Sequence, residues 1–138
     1  GDVYKRQVLD GMTQCVKDAY AAGITVGMGT DASCPFSTQY GMWREIIYFA
    51  KLGGFGVKAA LKAATIGNAA VVGESERTGS LEVGKRADII LLSRSPVSHP
   101  ETLRAPKTVI AGGRVIERPA VKRNEKMEKI LDKLMEEM

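Results

Sequence analysis

A chain of 138 residues that is 44% hydrophobic and 26% charged has the balance of a soluble globular domain, which excludes wholesale disorder. The net charge of +4 is spread along the chain and interleaved with acids, without a basic stripe or interleaved aromatics, so nucleic acid is not an expected partner. No apolar run approaches the ~20 residues needed to span a bilayer and no charged-then-apolar leader opens the chain, so the expected location is cytoplasmic, without a membrane partner. Cys15 and Cys34 lie outside any CxxC spacing and are expected to be buried, reduced thiols.

The opening run Asp2-Val3-Tyr4-Lys5-Arg6-Gln7 matches the translation of a transposon end used in sequencing libraries. Residues 1–7 are therefore expected to be an adapter artefact, with the natural sequence starting near Val8 in mid-gene. From Val8 to Ala22 apolar residues recur at three- and four-residue steps (Val8, Leu9, Met12, Cys15, Val16, Ala19, Tyr20), the pattern of an amphipathic helix that Gly23 would end as a left-handed cap. Ile24 to Gly29 is short, apolar and β-branched at its start, as expected of a strand buried on both faces of a parallel sheet. A loop with Cys34-Pro35-Phe36-Ser37 follows, then a helix from Met42 to Leu52 stopped by Gly53-Gly54. A third helix is expected from Val57 to Ile66, and a short fourth from Asn68 to Val72, with Asn68 as N-cap and Gly73 as terminator.

At Glu74 the composition changes, and a domain boundary is placed there. Gly79 to Gly84 reads as a small β-like unit and Ala87 to Leu92 as a buried strand. Pro96, Pro100 and Pro106 punctuate an exposed connection. Thr108 to Ala111 and Arg114 to Glu117 flank Gly112-Gly113, a two-residue hairpin signal because both glycines tolerate positive φ. From Val121 the chain reads as helical, with Met127, Ile130, Leu131, Leu134, Met135 and Met138 forming a narrow stripe for docking onto the same protein or a second subunit, and Glu125–Lys129 spaced for an i,i+4 pair. The expected segments are thus 8–73, 74–118 and 119–138.

A carboxylate at the carboxy end of a buried parallel strand points out of the sheet's top edge, where α/β barrels place catalytic groups. Asp31 has that position, and Gly27 and Gly29 would leave room for a close approach to the backbone. Alone, Gly29-Thr30-Asp31 fits a turn or cap better than a ligand. Combined with Ala59-Ala60-Leu61-Lys62-Ala63-Ala64-Thr65, Asn68-Ala69-Ala70, Gly79-Ser80-Leu81-Glu82-Val83-Gly84-Lys85-Arg86-Ala87-Asp88-Ile89-Ile90-Leu91-Leu92 and Val109-Ile110-Ala111-Gly112-Gly113-Arg114-Val115, in this order, it resembles the end of a metal-dependent amidohydrolase, of the imidazolonepropionase and prolidase-like branch.

The resemblance covers Gly23 to Glu117. It implies an α/β fold: the C-terminal part of a (β/α)8 barrel, strands of a small β-sandwich and a C-terminal helix. It further implies a hydrolase of non-peptide carbon–nitrogen bonds using a divalent metal, zinc in the expected case, on small molecules with an amide, cyclic amide or amidine bond; a homo-oligomer of the parent protein is allowed. Asp31 would be metal ligand and proton acceptor, and Ser33, Cys34 and Gln39 fall in the loop where substrate is usually met. Thr30 is expected to support the site, Asp88 to be structural, His99 to be solvated, and Glu45 to form either a surface ion pair or a substrate contact.

The family site also draws on a His-x-His pair, a bridging ligand and further histidines, and this sequence holds one histidine, His99. The 138 residues by themselves are therefore expected to be inactive, with open edges that invite aggregation. A deaminase of the same superfamily and a non-catalytic interaction module are the alternatives.

Overall fold

The computed structural model describes residues 2–137. Helix α1 spans Asp2–Ala21, six residues earlier than the pattern predicts, because Tyr4-Lys5-Arg6-Gln7 carries nothing that opposes a helix and Asp2 sits favourably at its positive end. It ends as expected: Gly23 takes φ +74°, Ile24 N donates to Ala19 O at 3.0 Å and Gly23 N to Tyr20 O at 3.1 Å, both bonds of a Schellman cap. None of its residues is buried, and Val8, Leu9 and Met12 stay exposed, so the amphipathic face is present but largely uncovered.

Residues 24–30 form no regular strand. A strand is defined by partners, and the expected neighbours are not among the described residues. The segment instead lies against the helices that follow, where Asn68 hydrogen-bonds the Met28 backbone through both ends of its carboxamide.

Helix α2, Met42–Leu52, buries Trp43, Arg44, Ile46, Ile47 and Ala50 along one stripe. Helix α3, Gly56–Lys62, runs into a π turn at Ala63–Gly67 and then the short α4, Asn68–Val71, so one continuous path replaces the two separate helices expected. Asn68 is accordingly not an N-cap: it has helical φ and ψ, and its side chain is engaged with Met28. Gly73 does terminate the path, at φ +73°. The small core joins Ile46, Ala50 and the fully buried Ala60, with Met28, Phe49, Val57, Leu61, Ala64 and Leu103 against it.

The remainder is a single three-stranded antiparallel sheet, β1 (Ile89–Leu91), β2 (Thr108–Ala111) and β3 (Arg114–Glu117), in that order. Gly112 and Gly113 take φ +56° and +82°, and the hairpin register pairs Ala111 with Arg114, as the sequence predicts. Strand β1 is shorter and more exposed than the buried strand expected, since among the described residues no second sheet covers it. Gly79 to Gly84 forms turns rather than β structure. The proline-rich connection contains a 3₁₀ helix, Pro100–Arg104, that sends Leu103 into the core, so it is not simply an exposed tether.

Helix α5, Glu125–Glu136, begins four residues later than expected, where Asn124 caps it by accepting from Met127 N at 3.1 Å. Of its apolar stripe only Leu131 is buried; Ile130 and Leu134 remain exposed, and Met138 lies outside the described residues. Among the described residues Glu125 and Lys129 form no ion pair. The helix docks mainly through charge. Arg44, 3% exposed, donates to Glu128 at 2.8 Å and to Asp132 at 2.7 Å, while Arg104 reaches the same two carboxylates at 2.9 and 3.0 Å.

Candidate functional site

Asp31 stands at the end of the 24–30 segment, exposed, with φ +47°. Ser33 and Phe36 also take positive φ, +95° and +68°, so three non-glycine residues within six hold a backbone conformation that L side chains rarely adopt. Asp tolerates this region better than most residues; Phe does not. Such strain persists where surrounding contacts fix it, and it concentrates at functional loops. Here Ser37 is the fixing residue: its amide donates to Cys34 O at 3.0 Å and its hydroxyl donates to Thr30 O. Thr30 thus supports the loop through its carbonyl.

The Cys34 thiol donates to Asp31 Oδ2 at 3.8 Å. Cys34 and Cys15 are both free and both exposed, which corrects the expectation of buried thiols: Cys15 sits on a helix without buried residues and Cys34 on an open loop. Gly29 is open around its α-carbon, as expected, but the space at Gly27 is taken, since a Cβ there would fall 2.6 Å from Asn68 Oδ1.

Ser33 and Gln39 come together. With Ser37, Thr38, Tyr40, Lys122, Arg123 and Asn124 they line an open groove of about 690 Å³, which does not include Asp31 among its walls. The far wall is pinned by Asn124 N donating to Tyr40 Oη at 3.0 Å and by Arg123 donating to Arg104 O. That wall leads directly into α5, and Arg123 in it lies 3.7 Å from Glu128, one of the buried charges that dock the helix. The sequence reading missed this network. Its signal was an acid pair four residues apart, Glu128 and Asp132, on the side of α5 that also carries Leu131.

Burial pushes the Asp132 carboxyl up, but hydrogen bonds from Arg44 and Arg104 outweigh it and hold the group below its ordinary range. Glu45 forms no ion pair among the described residues: it is half-buried, and its carboxyl is pushed up by burial. Together with Thr30, Ser37, Thr38, Arg44 and Tyr48 it lines a smaller cavity of about 290 Å³ behind the loop. Asp88 is structural, accepting from Gly112 N at 2.7 Å at the hairpin turn, and His99 sits at the surface 3.4 Å from Glu101.

Among the described residues no three of His, Cys, Asp and Glu are grouped so as to hold a metal ion. Asp31 with one nearby thiol is a single strong ligand, short of the several that a zinc centre needs. The donor set present does not by itself fit a metal.

The order of these elements and the Asp-bearing loop define a class. Residues 5–116 match the amidohydrolase family, and the chain belongs to it. It is 43% identical over 77 residues to the imidazolonepropionase of Syntrophobacter fumaroxidans, an alignment covering 54% of this chain and 18% of that protein. It is 42% identical over 79 residues to the 5-methylthioadenosine/S-adenosylhomocysteine deaminase of Desulforudis audaxviator, covering 51% and 18%. Among solved structures, a candidate prolidase from Bifidobacterium longum superposes with a TM-score of 0.84 at 39% identity, over 88% of this chain and 30% of that one. The chain therefore spans less than a fifth of the length of the curated relatives it matches. Helices with a small antiparallel sheet are compatible with the α/β class, and no helix among the described residues is long and apolar enough to cross a membrane.

Proposed function

We propose that this chain is the carboxy-terminal part of a metal-dependent hydrolase acting on carbon–nitrogen bonds of small molecules, with residues 8–73 belonging to the end of a (β/α)8 barrel, 74–118 to a β-sandwich and 119–138 to a docking helix. The observation that carries the reading is Asp31, held at positive φ at the tip of an apolar segment inside a family match that runs through it. In this reading its carboxylate takes a proton from the attacking water and returns it to the leaving nitrogen, and in the whole protein it would also be one ligand of a divalent metal, zinc by preference, whose other ligands the described residues do not supply. When bound, the metal's contribution is to lower the pKa of water. Ser33 and Gln39, lining one groove beside that tip, contact the substrate. The chain by itself is inactive.

Among relatives, the imidazolonepropionase and the candidate prolidase favour hydrolysis of an amide, and the deaminase keeps attack on a ring amidine as the second reading. The test is a chimera in which residues 24–116 replace the matching segment of the Bifidobacterium longum protein, assayed for metal content and for hydrolysis of dipeptides and cyclic amides. Asp31→Asn should lower kcat by about 10²- to 10⁴-fold, the usual contribution of a positioned acid–base group. Equal rates with and without the Asp31 carboxylate would refute the assignment.

A further inference from the structure

The segment that carries Asp31 has no strand beside it, yet its backbone is gripped at one residue. Asn68 Oδ1 accepts the Met28 amide at 2.6 Å and Asn68 Nδ2 donates to the Met28 carbonyl at 3.0 Å. One carboxamide therefore satisfies both backbone groups of one residue, the pair of bonds that an antiparallel neighbour exchanges in a ladder. The second Nδ2 hydrogen goes to Ala64 O at 3.3 Å. In the π turn the Asn68 backbone N–H is shared between Ala63 O and Thr65 O and does not go to Ala64 O, the acceptor an α-helix would use, which leaves that carbonyl to the side chain.

Two glycines make the approach close enough. A Cβ on Gly27 would lie 2.6 Å from Asn68 Oδ1, and a Cβ on Gly67 would lie 2.9 Å from Val26 O. Neither glycine has a positive φ, so what they supply is space rather than an unusual backbone angle. The π turn, the two glycines and the amide thus converge on one contact, three residues before Asp31.

We infer that Asn68 is the positioning residue for Asp31: its carboxamide stands in for a strand and sets the height and register of the segment on which the carboxylate is carried. This rests on the reading of Asp31 as the functional acid. The chemistry demands an amide, because a donor must face the Met28 carbonyl while an acceptor faces the Met28 amide. An ionised carboxylate at position 68 offers two acceptors and repels the carbonyl; the protonated acid restores the donor.

That difference gives a reversible test on the full chain by nuclear magnetic resonance. In the wild type a scalar coupling across the hydrogen bond should connect the Met28 amide nitrogen with the Asn68 side-chain carbonyl carbon. Asn68→Asp and Asn68→Ala are titrated over about pH 3 to 7, bracketing the ordinary Asp value near 3.9. In Asn68→Asp the amide signals of Gly29, Thr30 and Asp31 should coincide with those of the wild type at the acid end and depart from them as the introduced carboxyl ionises. In Asn68→Ala they should be displaced at every pH. Sheet amides at Ile89 to Leu91 should match the wild type throughout, reporting an intact fold. A general packing role would not produce pH-reversible recovery at Asp31. Absence of the coupling in the wild type, or Asp31 signals in Asn68→Ala that overlay those of the wild type, overturns the inference. If the coupling and the recovery are seen while Asp31→Asn leaves the chimera's rate unchanged, the reading of Asp31 fails and the hydrogen-bond assignment stands.

Discussion

Removing the Glu128 carboxylate should weaken the docking of helix α5, and the size of the loss follows from the geometry. Arg44 is 3% exposed and Glu128 7%, their atoms are 2.8 Å apart, and Arg104 and Arg123 bring further positive charge to Glu128 at 2.9 and 3.7 Å. Breaking a buried pair by deleting one partner costs about 3–5 kcal/mol, because the other charge stays buried without compensation. Asp132 remains bonded to Arg44 and Arg104, and Arg104 is 35% exposed, which places Glu128→Leu at the low end, about 3 kcal/mol. With a urea m-value of about 1.5 kcal/mol/M, the midpoint should fall by about 2 M. Trp43 is the natural probe: it is the single tryptophan, it is buried, and the Arg44 and Arg104 guanidinium carbons lie 4.4 and 5.2 Å from its ring centre. Adding Arg44→Met to Glu128→Leu should return the midpoint to within about 1 M of the wild type, since an apolar pair of similar volume replaces buried charges at little cost. A fall of less than about 0.5 M for Glu128→Leu, or a double variant as unstable as the sum of the two singles, would refute charge as the force that docks α5.

Asp31→Gly should stabilise the fold by up to about 1 kcal/mol, because a left-handed backbone at φ +47° costs an L residue roughly that much, whereas Asp31→Asn should leave stability nearly unchanged. Destabilisation by the glycine, read from the same urea curves, would show that the Asp31 side chain holds the loop. Glu45→Gln should raise Tm at pH 7. The folded-state pKa of Glu45 is raised by burial, so the stability tied to its neutral form is fully present below its unfolded pKa and is lost as pH rises through the folded value. The gap between Glu45→Gln and wild type should therefore close below about pH 4, and a gap independent of pH would place its origin in packing instead.

Local chemistry made several elements legible from the residues. Gly23 and Gly73 end helices at positive φ, Gly112-Gly113 turns the hairpin, and the Met42 to Leu52 stripe buries the face its spacing predicts. Each depends on residues within one or two turns of one another, so periodicity and backbone preference suffice. The segment Ile24 to Gly29 has the composition of a strand, but composition cannot supply a hydrogen-bonding partner, and the partner it found is one side chain forty residues away. Asn68 looked like an N-cap because it follows a glycine and precedes alanines; only its tertiary contact shows that the amide is used across the fold.

Residues of the candidate site divide in the same way. Asp31, Ser33 and Gln39 could be named from the order of motifs, since their significance comes from where they fall along the chain. That Ser33 and Gln39 face one groove closed by Lys122 to Asn124, and that Arg44 binds Glu128 and Asp132 more than eighty residues on, could not. By itself the sequence determined the family, the turn positions and the helix faces, because these follow from neighbouring residues and ordered motifs. Tertiary structure decided what holds the Asp31 segment and what docks α5, because a buried charge or amide becomes stable only once distant chain segments bring it a partner.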